Sequence, residues 1–416
     1  MRTATFTLPA LASSAIGAML VAASFLGADC GHNAPVGYAP TRDLSPDGAV
    51  LSLRFGTPKD VAISDELRSV APQYFNPSSR DAFAVSTNGQ PGFYDPLELT
   101  VRHAMPQGMY RFWRTLGETF VGYGADGIRV ARRNEAWSHP VAQQTPNRGL
   151  ADGARTRNDD IWLALTDRPV APTMMGLLLV RGSSGQLFPN PVGPRHRIER
   201  GDLAVGALDD DRIALAWVEP TAGGLALMLT FRDPTGTTFT PPIAVDSVPM
   251  DGPAAELSGR TGTELTVVGL VDRVAIAWRP LLPDAPVDVG ISSAPPQRAV
   301  RAELRIVIAD GVNAPTLIRH GTWASPLGGT TGIGPWPLAT AGLVAARIGE
   351  TAAFAWNDVS GQGARVLATL AKHGLAPLEV APLVYRLQFR TTPLGSELLM
   401  FAPNGAVLSS SVDYTY

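Results

Sequence analysis

Cysteine is almost missing. The 416-residue chain carries one, Cys30, so no internal disulfide can staple the fold and no Cys-rich zinc cluster can form. Lysine is nearly as scarce: Lys59 and Lys372 stand against thirty-two arginines. Two lysines leave no S-x-x-K pattern, and G-x-S-x-G is also absent, so neither of these serine-nucleophile signatures is available. The six histidines, His32, His103, His139, His196, His320 and His373, form neither H-E-x-x-H nor an H-x-H pair, and no metal or cofactor is expected from them. Charged residues make up only 17%, with a net charge of −3. The arginines are not clustered, so the concentrated basic face that a nucleic-acid partner requires is lacking.

What is abundant points elsewhere. Apolar residues reach 45%, with 42 glycines and 36 prolines, a composition for many short elements joined by turns around an ample core. Met1–Arg2 and the Ala-rich apolar stretch from Leu8 to Ala28 have the layout of a secretory signal peptide, assigned to residues 1–29. Directly behind it runs Leu26-Gly27-Ala28-Asp29-Cys30. This resembles the lipobox of bacterial lipoproteins, with Asp29 standing where a small residue is usual. The resemblance implies acylation of Cys30 and a membrane partner reached only through that lipid. Cleavage near Ala28 followed by secretion, and an uncleaved anchor, are the alternatives. Residues 30–48, rich in Pro, Gly and Asp, read as a tether, which leaves 49–416 as a single domain.

That domain repeats itself. DRIALAWVEP from Asp211, DRVAIAWRP from Asp272, GETAAFAWND from Gly349 and DDIWLALTD from Asp159 each open on a polar residue and run apolar for about five residues. They are too short and too alternating for helices and read as buried strands. A second alternating strand follows each: LALMLTFRD, LRIVIAD, ARVLATLAK and GLLLVRG. Then come glycines at Gly185, Gly236, Gly311 or Gly374 and a proline-led piece, with prolines at 140, 191, 242, 315 and 377. Proline has no amide to donate and suits an outer edge strand.

The proline spacings are 51, 51, 73 and 62 residues. A period near 50 with about four strands predicts an all-β fold, a β-propeller. Hairpins from Asp81 onward predict seven blades, with six as the alternative. The C-terminal hairpin, ELLMFAPNGAVLSSSV from Glu397, lacks an outer strand, and AVLSLRF at 49–55 is free to supply it. That pairing would close the ring and remove an open edge. A β-sandwich is the rival, but seven repeats spread over the chain exceed what it holds. The Pro-rich stretch Arg279–Pro296 is read as a loop inside one blade. Gly185-Gln186-Leu187-Phe188 and Gly236-Thr237-Thr238-Phe239 resemble the end of the Asp-box turn of sialidase-like propellers. Ser183 and Pro234 occupy the aspartate position, so the resemblance implies architecture and not sialidase chemistry.

Other patterns carry less. Gly122–Gly127 fits G-x-G-x-x-G, but the strand-like IRVARR follows where a dinucleotide site needs a helix, so it reads as a hairpin turn. Asp209-Asp210-Asp211 point alternately and read as a solvated turn, not a calcium site. Arg195-His196-Arg197 with Arg200 reads first as a solvated loop and second as an anion contact. The long segment Ile318–Ala341 carries His320, Trp323 and Trp336 among glycines and is the candidate ligand site; both Trp side chains plugging gaps between blades is the competing reading. The expected function is a non-enzymatic binding or scaffold module for a protein or carbohydrate ligand, exported and held at the cell envelope or secreted. The alternative is a polysaccharide-active hydrolase or lyase, which would need carboxylates brought together from different blades.

Overall fold

The computed structural model describes residues 35–36, 52–63, 65, 83–85, 91–95, 97–103, 109–124, 126–143, 148–167, 174–189, 191–193, 196, 203–234, 238–249, 264–280, 282, 287–289, 297–324, 343–360, 363–372, 374–382, 384, 386–392, 395–402 and 406–415. They form an all-β structure of seven antiparallel sheets among the described residues. Sheet I comprises Phe83–Val85, Pro91–Asp95 and Thr100–Arg102; sheet II comprises Met109–Leu116, Thr119–Gly124, Gly127–Arg132 and Ala142–Gln143. Sheet III holds Arg148–Arg155, Ile161–Asp167, Met174–Arg181 and Ser184–Pro189, and sheet IV holds Leu203–Ala207, Ile213–Thr221, Gly224–Arg232 and Ile243–Pro249. Sheet V contains Glu264–Gly269, Val274–Arg279, Gln297–Ala309 and Thr316–Ala324, and sheet VI contains Val344–Ile348, Thr351–Ser360, Gly363–Leu370 and Leu378–Pro382. Sheet VII is built from Arg386–Thr392, Gly395–Phe401, Val407–Thr415 and the N-terminal strand Ser52–Phe55. That last strand pairs antiparallel with the C-terminal one, Arg54 opposite Asp413. No helix among the described residues is long and apolar enough to cross a membrane.

The first strands of consecutive sheets lie against one another from sheet I to sheet VII. A row of similar meanders, four-stranded in sheets II to VII and three-stranded in sheet I, packed through their first strands is the layout of a β-propeller. Close approach explains the glycines there: a Cβ on Gly269, in the first strand of sheet V, would sit 1.8 Å from the Ala207 carbonyl oxygen of sheet IV.

The Ala-Trp repeat has a two-faced logic, because successive strand residues point to opposite sides. In sheet IV, Ile213, Leu215 and Trp217 pack toward sheet III, while Ala214, Ala216 and Val218 pack toward sheet V. In sheet V, Val274, Ile276 and Trp278 meet the alanine face of sheet IV, and Ala275 and Ala277 turn to sheet VI. Sheet VI repeats this with Phe354 and Trp356 toward sheet V and Ala353 and Ala355 toward sheet VII. Between sheets IV and V and between sheets V and VI, large residues of one sheet rest on a small-residue face of its neighbour, the interdigitation that close packing requires. Trp217, Trp278 and Trp356 are completely buried. Sheet III departs from the plan: Trp162 stands three positions earlier in the repeat than Trp217, on the opposite face, and shares the face toward sheet IV with Ala164. Leu399, Phe401 and Val407 of sheet VII cluster with Leu99 and Val101 beside sheet I, and an Arg390 Nη1 donates to the Leu97 carbonyl at 3.3 Å.

Several details differ from the sequence reading. The outer strand of sheet III is Ser184–Pro189, so Gly185–Phe188 lie inside a strand and not in a turn, and Pro191-Val192 follow it. Pro242, Pro315 and Pro377 do stand immediately before outer strands. Arg279–Pro296 is not wholly loop, since Val287–Val289 pairs with Gln297–Ala299. Within the segment read as a tether, Pro35–Val36 pairs in parallel with Arg347–Ile348 on the free side of the first strand of sheet VI. Gly122–Gly127 spans a hairpin turn between Thr119–Gly124 and Gly127–Arg132. Residues 1–34, including Cys30, lie outside the described residues.

Candidate functional site

The meander order gives each sheet two ends. One carries the turns between first and second and between third and fourth strands (the hairpin rim). The other carries the connections between sheets (the connection rim).

At the hairpin rim the three aspartates of Asp209–Asp211 divide into separate tasks. Asp211 takes the left-handed turn position at φ 63°, as Asp159 does at φ 64° in sheet III, a conformation that Asp tolerates better than most residues. Asp210 accepts from the Arg212 amide at 3.1 Å and from its Nε at 2.7 Å. Asp209 reaches the Arg347 guanidinium of sheet VI through both carboxylate oxygens, with Nη2 to Oδ2 at 2.7 Å. Arg157 of sheet III joins it at 2.8 Å, and the Asp209 amide donates to the Leu270 carbonyl of sheet V at 3.1 Å. The run is therefore not a solvated turn throughout: Asp209 is 14% exposed and ties four sheets together.

The connection rim holds the strand that the sequence singled out. Thr316–Ala324 is the outer strand of sheet V. His320 stacks on Trp356 of sheet VI, centroids 6.5 Å apart and planes 22° apart. Its Nε2 is buried with no hydrogen-bond partner, and burial pushes the imidazole pKa below its ordinary value. Two residues along on the same face, Thr322 accepts from Trp356 Nε1 at 3.0 Å and donates to the buried Asp358. Arg365 Nε stands 3.7 Å from the other Asp358 oxygen. Nearer the first strands, Arg279 bridges Glu264 at 2.6 Å and the Asn357 carbonyl at 2.6 Å. Trp323 lies on the same strand as His320, opposite Arg301 in the ladder. Trp336 lies outside the described residues, as do Arg195, Arg197 and Arg200.

The same rim shows a pattern the sequence did not signal. In sheets IV, V and VI the second-strand indole N–H finds an oxygen: Trp217 reaches Glu219 at 3.0 Å, Trp278 reaches Asp246 at 2.8 Å, and Trp356 reaches Thr322. Glu219 also pairs with His196 Nδ1 at 3.0 Å, so His196, the middle of the basic cluster, is held by an acid. A buried indole with its N–H satisfied anchors without a desolvation cost. On the hairpin rim, a groove of about 380 Å³ opens between sheets II and III, where Asp159 bridges Arg155 at 2.6 Å and Arg132 at 3.3 Å. Among the described residues, no group of three or more His, Cys, Asp or Glu side chains converges on a metal position.

Three solved structures are similar in layout. The fungal lectin of Aleuria aurantia, a six-bladed β-propeller with a fucose recognition mode, is 12% identical over 81% of this chain and 92% of its own, with a TM-score of 0.38. The α-L-arabinofuranosidase Arb93A from Fusarium graminearum is 10% identical over 86% and 98%, TM-score 0.38. Polysaccharide lyase Uly1 is 8% identical over 88% and 100%, TM-score 0.30. At these scores the likeness carries no functional argument. No protein-family model matches the chain, and no curated protein matches it.

Proposed function

We propose that this chain is a closed seven-bladed β-propeller that works as an exported, non-enzymatic binding module for a protein or carbohydrate ligand. Closure rests on the pairing of Ser52–Phe55 with Val407–Thr415 and on the apolar cluster joining sheet VII to Leu99 and Val101. The binding surface is the connection rim around His320 and Trp323, extended by Trp336 in the segment that follows. Anchoring to the membrane is through acylated Cys30, placing the module at the periplasmic or outer face of the envelope.

One observation carries the non-enzymatic reading. The carboxylates along the first strands and their turns are committed to holding sheets together: Glu264 by Arg279, Asp209 by Arg347 and Arg157, and Asp152 by the Val205 amide at 2.9 Å. A hydrolase needs two carboxyls free to face each other across the bond to be cleaved, whereas these are taken up by contacts between strands and sheets.

The test is a glycan and polysaccharide array probed with the mature chain and with His320→Ala, Trp323→Ala and Trp336→Ala, each monitored for its unfolding midpoint. Binding lost at unchanged midpoint supports the rim. A fall in midpoint with binding intact makes the tryptophans packing plugs, and release of reducing ends or unsaturated products replaces the binding module with the hydrolase or lyase. Mass spectrometry of the mature N-terminus addresses the anchor: an unmodified first residue other than Cys30 removes it.

A further inference from the structure

Four arginines are buried among the described residues: Arg232, Arg279, Arg305 and Arg347. Three have a carboxylate in contact. Arg279 holds Glu264, Arg305 holds Asp246 at 2.9 Å and Glu303 at 2.6 Å, and Arg347 holds Asp209. Arg232 does not. It is 7% exposed, forms no ion pair among the described residues, and its Nε finds no acceptor there.

The Arg232 side chain ends the third strand of sheet IV and lies across the crevice to sheet III. Its guanidinium carbon stands 4.6 Å from the Trp162 ring centre and 5.7 Å from that of Phe188, two rings themselves 5.8 Å apart. Ring faces attract a cation, but they do not replace a counter-ion for a guanidinium taken out of water. Asp160 and Asp233 favour the cation only through space. Arg181 repels it, and Asp160 is occupied by Arg181 through three hydrogen bonds of 2.7 to 3.0 Å. Asp233, next in the chain, faces solvent. Burial, then the charge of Arg181, pushes the Arg232 pKa down. Partly buried Phe188, Val192 and Phe239 border the same crevice.

We infer that Arg232 anchors a binding site for a ligand carboxylate in the crevice between sheets III and IV. A guanidinium held over two rings is restrained for the two-pronged contact that a carboxylate accepts. Its cation has no carboxylate in direct contact among the described residues until the ligand arrives, and Phe188, Val192 and Phe239 offer apolar surface to the body of the ligand. This site is separate from the connection rim and stands whether or not that rim binds a glycan. The displaced position of Trp162 in the repeat creates it, by placing a tryptophan under the end of the third strand of the neighbouring sheet.

The full mature chain is titrated by calorimetry with acetate, benzoate and glucuronate against chloride at matched ionic strength, beside Arg232→Met and Arg232→Lys. Wild type binds at least one of the three saturably. Arg232→Met binds it at least tenfold more weakly and, without ligand, unfolds at the same midpoint as wild type or higher, because a lone buried charge has been replaced by apolar volume. Arg232→Lys keeps the charge but loses the fork and binds more weakly than wild type. A wild type that none of the three saturates overturns the site whatever the variants do, and so does equal binding by wild type and Arg232→Met. Preference for glucuronate over acetate and benzoate identifies the ligand as a uronic acid sugar, and the reverse order as an apolar acid.

Discussion

The crevice between sheets IV and V and the crevice between sheets III and IV follow one hydrophobic plan and two polar ones. In the first, Trp278 rests on Ala204, Ala214 and Ala216, and one carboxylate, Asp246, serves both its indole N–H and the buried Arg305. In the second, Trp217 rests on Ala154 and Ala164 beside a second tryptophan, Trp162. There Glu219 serves Trp217 and His196, while the buried cation, Arg232, has no acid. The lesson is that large-on-small packing sets how sheets join and repeats with little change, whereas the polar partners differ crevice by crevice. Specific chemistry is to be sought where a polar partner is missing or substituted.

The comparison can be broken at its strongest point first. Trp278→Ala removes a fully buried indole from an alanine face that cannot collapse to fill the space, and a loss of about 3–5 kcal/mol is expected in urea unfolding. Asp246→Ala makes the crevice between sheets IV and V resemble its neighbour by stripping Arg305 and Trp278 of their shared acceptor. A loss of about 3 kcal/mol is expected, recovered in large part by adding Arg305→Met; no recovery would show that the acid matters for more than neutralising the cation. Ala216→Leu overfills the small face against Trp278 and is expected to cost about 1–3 kcal/mol, while Ser247→Leu at an exposed strand position leaves stability nearly unchanged. The smallest effect is in pH. The folded pKa of His320 lies below its ordinary 6.5, so the unfolded chain takes up a proton first as pH falls. Its stabilising contribution is whole above about pH 6.5 and declines as pH drops toward the depressed folded value. His320→Gln flattens the stability profile below about pH 6.5; an unchanged slope would place the titration elsewhere.

Much of this plan is legible in the chain. The alternation of Ile213, Leu215 and Trp217 with Ala214 and Ala216 marks a strand with two unlike buried faces, and Pro242, Pro315 and Pro377 mark the outer strands. The first strands are harder to read: LAVGA at Leu203–Ala207 and VAARI at Val344–Ile348 are short and small-sided, because neighbouring sheets approach closely there. Phe188 lies in the outer strand of sheet III because the turn falls earlier, at Gly182-Ser183, with Gly182 at φ 58°. The polar network is least legible. Asp209 and Arg347 are 138 residues apart, and no local spacing announces a contact made only when the fourth and sixth sheets face each other. His320 and Trp323 share a strand, as their spacing implies. That His320 lies on Trp356, and that Thr322 rather than His320 touches the acid, follows from cross-sheet packing that a linear pattern does not encode.

The central claim is that the two ends of the chain complete one sheet and so close the ring. With Cys30→Ser as background, Arg54→Cys and Asp413→Cys place two thiols directly opposite each other in the ladder, at the separation an antiparallel pair provides for a disulfide. A ring closed in this register forms the bond within single chains when reductant is removed, and the unfolding midpoint rises. Two thiols that stay free, or that join only one chain to another, would contradict it.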